Sequence, residues 1–111
     1  MEIIKKGEQD NCVTVGVEGR IDAVTAPEFE KILSEWVGEN SADVIVDLSE
    51  LEYISSAGLR SVLGIAKRLK GEERRFMLCS LKDTVKEVFD ISGFSTIIPI
   101  HDSVKAALKE R

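Results

Sequence analysis

Val44-Ile45-Val46-Asp47-Leu48-Ser49-Glu50-Leu51-Glu52-Tyr53-Ile54-Ser55-Ser56-Ala57-Gly58-Leu59-Arg60 is the stretch that decides the fold. It begins as an apolar run broken only by Asp47. Continuity of that kind indicates a strand buried on both faces, as in a parallel sheet. A short acidic connection follows. Ser55 and Ser56 then open a segment with Leu59, Val62, Leu63, Ala66 and Leu69 on one face, which predicts a helix over 56–70. Lys67, Arg68 and Lys70 crowd the end of that helix, as the macrodipole favours, and Gly71 stops it. A buried strand that turns into a helix through small hydroxyl residues sets them beside the free N–H groups of the first turn. A hydroxyl there can cap the helix, attack a substrate or carry a phosphate.

Working outward toward the N-terminus, residues 2–6 and 12–18 read as two extended segments. Val13, Val15 and Val17 alternate with Thr14, Gly16 and Glu18, the period of a half-buried strand. The turn-like residues 7–11 between them predict a β-hairpin. Residues 19–24 form a connection. Thr25 is expected to cap the first helix, with Pro27 in its first turn and Glu28 completing a capping box. Phe29, Ile32, Leu33, Trp36 and Val37 then repeat at helical spacing, with Trp36 as a core or edge anchor, and Gly38 ends the run. Toward the C-terminus, 75–79 reads as a strand and 82–91 as a helix closed by Ser92 and Gly93. A short strand over 97–100 follows, whose Pro99 suits an edge, and a last helix over 103–109.

The order ββαβαβαβα implies an α/β fold in one domain spanning residues 1–111. Its sheet is mixed and mostly parallel, with an N-terminal antiparallel hairpin strand, and packs with about four helices. Function in such sheets gathers at the carboxyl ends of the parallel strands. Ser55, Ser56 and the loop over 19–24 are all expected there.

Composition removes several classes. A net charge of −5 argues against a nucleic-acid partner, which would want a basic stripe. No run of about 20 apolar residues exists, so no transmembrane segment is expected. Charges in Met1-Glu2-Ile3-Ile4-Lys5-Lys6 interrupt any apolar leader, so export is not expected and a cytoplasmic location is. Cys12 and Cys79 each sit in or beside an apolar run and read as small buried hydrophobes of a reducing compartment. With one histidine, His101, neither a zinc site nor a base for a serine nucleophile is in view. The nucleophile-elbow pattern G-x-S-x-G, the Walker motif and G-x-G-x-x-G are all missing. The chain is therefore read as having no catalytic residues, no metal and no cofactor.

Three segments in order, Gly19-Arg20-Ile21-Asp22, Asp47 through Leu59, and Val88-Phe89-Asp90-Ile91-Ser92-Gly93-Phe94, resemble the signature elements of STAS domains. Among these the chain looks like the bacterial anti-sigma factor antagonists, and the likeness runs from the first hairpin to the last helix. The resemblance implies a binding switch and not an enzyme. The unphosphorylated antagonist binds an anti-sigma factor that is also a GHKL-type serine kinase, which frees a sigma factor. Phosphorylation of a serine weakens the complex, and a PP2C-type phosphatase resets it. Counted back from Gly58-Leu59, the phosphoacceptor falls on Ser56, with Ser55 the second candidate. Ser55 stands where the family often carries an aspartate. Asp22 matches a family aspartate in the partner-facing loop; on its own residues it reads equally as a turn carboxylate that accepts from nearby N–H groups. The implied contact set is Asp22, Ser55, Ser56, Ala57, Gly58 and Arg60, with Gly58 allowing close packing at the helix start. Arg60 and Ser61 are expected on the exposed face of the helix. An alternative keeps the fold without a serine switch, as a subunit of a signalling scaffold or a lipid-transport complex. A hydrolase using Ser56 would need a base that the sequence does not offer.

Overall fold

The hairpin at the N-terminus turns on Asp10 and Asn11, both with positive φ (50° and 58°), the conformation a two-residue connection between twisted strands requires. In the computed structural model, which describes residues 1–38 and 41–111, the flanking strands reach almost to that turn. They are β1 (Glu2–Gln9) and β2 (Cys12–Ile21), antiparallel and closed by the pair Gln9 and Cys12. The turn is thus two residues long, and most of the stretch expected as a turn is strand.

The chain continues through α1 (Ala26–Val37), β3 (Asp43–Asp47), β4 (Leu51–Ile54), α2 (Ser56–Gly71), β5 (Phe76–Cys79), α3 (Asp83–Ser92), a single 3-10 turn, β6 (Ile100–His101) and α4 (Val104–Lys109). The main sheet runs β1-β2-β3-β5-β6, with every pair after the hairpin parallel. This is the expected mixed α/β arrangement with four helices. Pro99 precedes an edge strand, as expected, but β6 is shorter than 97–100 suggested.

β4 is the element that the sequence hid. The connection after Leu48 contains a four-residue strand that pairs in parallel with the far end of β2, Arg20 opposite Tyr53 and Ile21 opposite Ile54. The register slips between Gly19 and Arg20, where Gly19 takes φ 96°, a value that favours glycine. β2 therefore pairs with β1 along one flank and with β3 and then β4 along the other.

The core lies between the sheet and the helices α1, α2 and α3. Val13, Val15, Val17, Val44, Val46, Phe76 and Leu78 supply the sheet side; Phe29, Leu33, Val62, Ile65, Leu69 and Phe89 supply the helical side. The opposite face of β3 and β5 carries Ile45, Met77 and Cys79, covered with Cys12 by α4 through Ala107. Coverage on both sides is why Val44 through Leu48 reads as one apolar run. Asp47 is nearly buried and is paired with Lys6 at 2.8 Å. Gly16, lying between them on β2, leaves the space that the Lys6 stem crosses. Burial alone would raise the Asp47 carboxyl, but the Lys6 ammonium and Ser49 outweigh it and hold the carboxyl below its ordinary range. Cys12 and Cys79 are free and buried, and burial pushes the Cys79 thiol up to about 11. Trp36 is partly exposed, on the edge rather than within the core.

Candidate functional site

Two strand ends and two helix starts meet at one edge of the sheet. Ser55 leaves β4 in an extended conformation (φ −90°, ψ 174°), and α2 begins at the next residue. All three polar groups of Ser55 are used. Its N–H donates to Ile21 O at 2.8 Å, its carbonyl accepts from Leu59 N at 2.8 Å, and its Oγ accepts from Gly58 N at 3.1 Å. Ser55 is thus the N-cap. Ser56 is the first helical residue and faces solvent. The first turn of α2 holds no acidic residue, so its free N–H groups present an uncompensated positive end beside the Ser56 hydroxyl.

The neighbouring loop is built on Asp22. Its Oδ1 accepts from Val24 N at 3.0 Å and Thr25 N at 3.0 Å. Thr25 Oγ1 accepts from Asp22 N at 2.8 Å, and its own proton lies between Arg20 O at 2.9 Å and Asp22 Oδ1 at 3.2 Å. The Thr25 N–H, then the Val24 N–H and the Thr25 hydroxyl, hold the Asp22 carboxyl below its ordinary range. This corrects one expectation: Thr25 makes no side-chain cap on α1, because its hydroxyl turns back to the loop. Pro27 does occupy the first turn of α1 as expected. Asp22 is the turn carboxylate that its residue type suggested.

Gly58 joins the two halves. A Cβ there would lie 2.8 Å from both Ile21 Cγ2 and Ile54 Cγ1 and 2.9 Å from Ile21 O. The first turn of α2 therefore rests directly on the ends of β2 and β4, which the expected close packing required. Ala57 and Arg60 line a shallow cleft of about 330 Å³ with Pro27, Glu30 and Ser61. Arg60 is exposed. Ser61 is not: it is buried and its Oγ donates to Glu30 Oε2 at 3.4 Å, so it holds α2 to α1 instead of facing a partner.

Two features at this end escaped the sequence reading. The Arg20 guanidinium stacks over the Tyr53 ring, 4.3 Å from its centroid, and Tyr53 stays 41% exposed. Val24, at the tip of the Asp22 loop, is 85% exposed. The pairing of β2 with β4 creates the first, and an aromatic inside an otherwise acidic connection was its signal.

His101 lies in β6, three strands across from β2, about 14 Å at the ordinary strand spacing. Among the described residues, no group of three or more His, Cys, Asp or Glu is placed to hold a metal ion, and no helix is long and apolar enough to cross a membrane.

Comparison with known proteins agrees with this geometry. Residues 4–107 match the family model described as STAS domain. The chain is 41% identical over 98 residues to BtrV of Bordetella bronchiseptica, a candidate anti-sigma factor antagonist, covering 88% of this chain and 84% of that one. It is 26% identical over 102 residues to the anti-sigma-B factor antagonist of Staphylococcus aureus, covering 92% and 94%. The crystal structure of an anti-sigma factor antagonist from Mycobacterium paratuberculosis superposes with a TM-score of 0.84 at 25% identity, covering 98% and 93%.

Proposed function

The chain belongs to the STAS domain family, and from that premise we propose that it is an anti-sigma factor antagonist switched by phosphorylation of Ser56. Unphosphorylated, it binds an anti-sigma factor and so frees a sigma factor. The surface used is the β2–α1 loop with Asp22, together with Ser55, Ser56, Ala57, Gly58 and Arg60 at the start of α2. Its partner is a GHKL-type serine kinase that binds ATP itself, and a PP2C-type phosphatase reverses the mark. The exchange takes place in the cytoplasm. The protein is a binder and a substrate in this reading, and not an enzyme.

The observation that carries it is the division of labour between the two hydroxyls. Ser55 Oγ is committed to Gly58 N, whereas Ser56 faces outward at the first helical position. A phosphate on Ser56 brings nearly two negative charges to the positive end of α2, so the fold tolerates it. A closely docked partner must desolvate those charges, and that weakens the complex. The same division accounts for Ser55 standing where the family often has aspartate. Aspartate and serine are about equally good N-caps, so the substitution keeps the cap and removes only a charge.

The test is to incubate the protein with candidate kinases and ATP and to map the phosphate by mass spectrometry. Ser56→Ala is expected to bind the kinase and resist phosphorylation, and Ser56→Asp to bind more weakly while still unfolding cooperatively. Phosphate on Ser55, or parental binding by Ser56→Asp, would overturn the proposal.

A further inference from the structure

At the other end of α2 a cleft of about 470 Å³ opens at the β6 edge of the sheet, within the range of about 300–1,000 Å³ usual for small-molecule sites. Pro99 closes the backbone edge there: its carbonyl accepts from Leu78 N, and it has no N–H of its own. What the cleft presents is therefore side chains. Its apolar walls are Ala66, Phe76, Met77, Ile97, Ile98 and Pro99. Phe76, Met77 and Ile98 are buried and form the floor, whereas Pro99 is exposed and Ile97, on the lip, is 58% exposed. The lip is held in place, since Ile97 N and Ile98 N both bond back to Phe94 O.

The charged part of the lining is mostly basic. In a chain whose net charge is −5, Lys67, Lys70, Arg74 and Arg75 border this one cleft against a single acidic residue, Glu110. Two of the four are occupied. Arg74 is buried, bonded to the carbonyls of Val37, Gly38 and Ala42 and paired with Glu72. Arg75 donates to Glu110 O at 2.8 Å, and Glu110 brings a negative charge to the same wall. Lys67 and Lys70 are exposed and form no ion pair among the described residues. Nor are they needed to close α2, whose last carbonyls accept from the N–H groups of Glu72, Glu73 and Arg74. Two ammonium groups, three residues apart on one helix face, are thus left over beside an apolar wall.

We propose that this cleft binds a small amphipathic carboxylate, with its head between Lys67 and Lys70 and its apolar body against Ala66, Ile97 and Pro99. Each carboxylate oxygen accepts from one ammonium group, a charge-assisted contact. The body covers the exposed side chain of Ile97 and removes it from water. A bare inorganic anion lacks the second contribution and an apolar cation lacks the first, so the site requires both halves of the ligand. Lys70 is about 21 Å along α2 from Ser56, so the cleft can be filled while the start of the helix is engaged elsewhere.

The test is a titration of the full, isotope-labelled chain with octanoate, followed by NMR. Saturable shifts are expected at Ala66, Lys67, Lys70 and Ile97. Acetate keeps the head without the body, and octyltrimethylammonium keeps the body with the charge reversed; neither is expected to shift these residues at the same concentrations. Lys67→Gln with Lys70→Gln is expected to weaken octanoate binding about tenfold or more without moving the unfolding midpoint, and Ile97→Ser to weaken it about fivefold. Saturating octanoate should raise the unfolding midpoint of the parent and leave that of the double variant where it was. No saturable shift, shifts that spread equally to the exposed Val24 and Ile91, full affinity without the lysines, or equal binding of acetate or of octyltrimethylammonium would each overturn the proposal.

Discussion

The two helix starts at the carboxyl edge of the sheet lie side by side and are built in opposite ways. At α1 the polar side chains of the loop turn inward: Asp22 accepts from the N–H groups of Val24 and Thr25, and the Thr25 hydroxyl is held between Asp22 and Arg20. At α2 one hydroxyl closes the helix and the next is left to solvent. The loop is fixed by its own hydrogen bonds, so its position does not depend on what binds. The second start presents an exposed hydroxyl, the proposed phosphoacceptor. In the proposed switch, a fixed edge beside a modifiable one lets a local charge alter docking without altering the fold.

The comparison breaks first at Gly58, where the two starts touch. An exposed helical glycine replaced by alanine ordinarily gains about 1 kcal/mol. Here the new methyl meets Ile21 and Ile54, so Gly58→Ala is expected to cost a net of about 1–3 kcal/mol in urea unfolding. An unchanged midpoint would mean that the seam has slack. Ser55→Ala removes the cap and is expected to cost about 1 kcal/mol, with Ser55→Asp close to the parent. If Ser55→Asp were as weak as Ser55→Ala, capping would not explain that position. Asp22→Asn keeps an acceptor and loses only the charge, so its effect is smaller and depends on pH. The folded carboxyl titrates below its ordinary 3.8, so its contribution is fully present above that value and is lost as pH falls through the folded pKa. Parent and Asp22→Asn should differ at neutral pH and converge in acid; a constant gap would rule out the charge. The smallest effect belongs to Ser56→Ala, which should stay within about 0.5 kcal/mol of the parent in the same unfolding assay. A loss as large as that of Ser55→Ala would contradict the division between the two hydroxyls.

Much of this was legible in the sequence because period and punctuation agreed. Val44 to Leu48 do not alternate, and that marks β3 as covered on both faces; Val13, Val15 and Val17 do alternate, yet Cys12 through Val17 are all buried, so β2 is not the half-buried strand its period suggested. The order of strands and helices then set the parallel sheet. β4 was illegible for a definite reason. Its burial runs inside, outside, outside, inside across Leu51, Glu52, Tyr53 and Ile54, so neither period appears, and its pairing depends on a slip just after Gly19, whose partner Leu51 lies far along the chain. Ser61 was misplaced because its hydroxyl suits solvent as well as the Glu30 carboxylate packed above it. Thr25 follows the sequence pattern of a cap, but Asp22 competes for it from three residues upstream. That competition is local, lying wholly within residues 20–25, and a capping pattern read from Thr25 onward does not register it. The candidate acceptor Ser56 was placed by register, and only the geometry at Ser55 supplied a physical reason for it.

The position of β2 also bears on how the molecule is made. Its pairings with β3 and β4 join residues about thirty positions apart, Val13 with Val44 and Arg20 with Tyr53, and a loop of that length must close before they form. The hairpin and α1 can emerge from the ribosome and organise locally, but they hold only the Asp22 half of the edge. The Ser55 half arrives with β4 and docks on a strand end already in place. A nascent chain released before Leu59 has no seam to close, and the surface proposed for the partner is then incomplete.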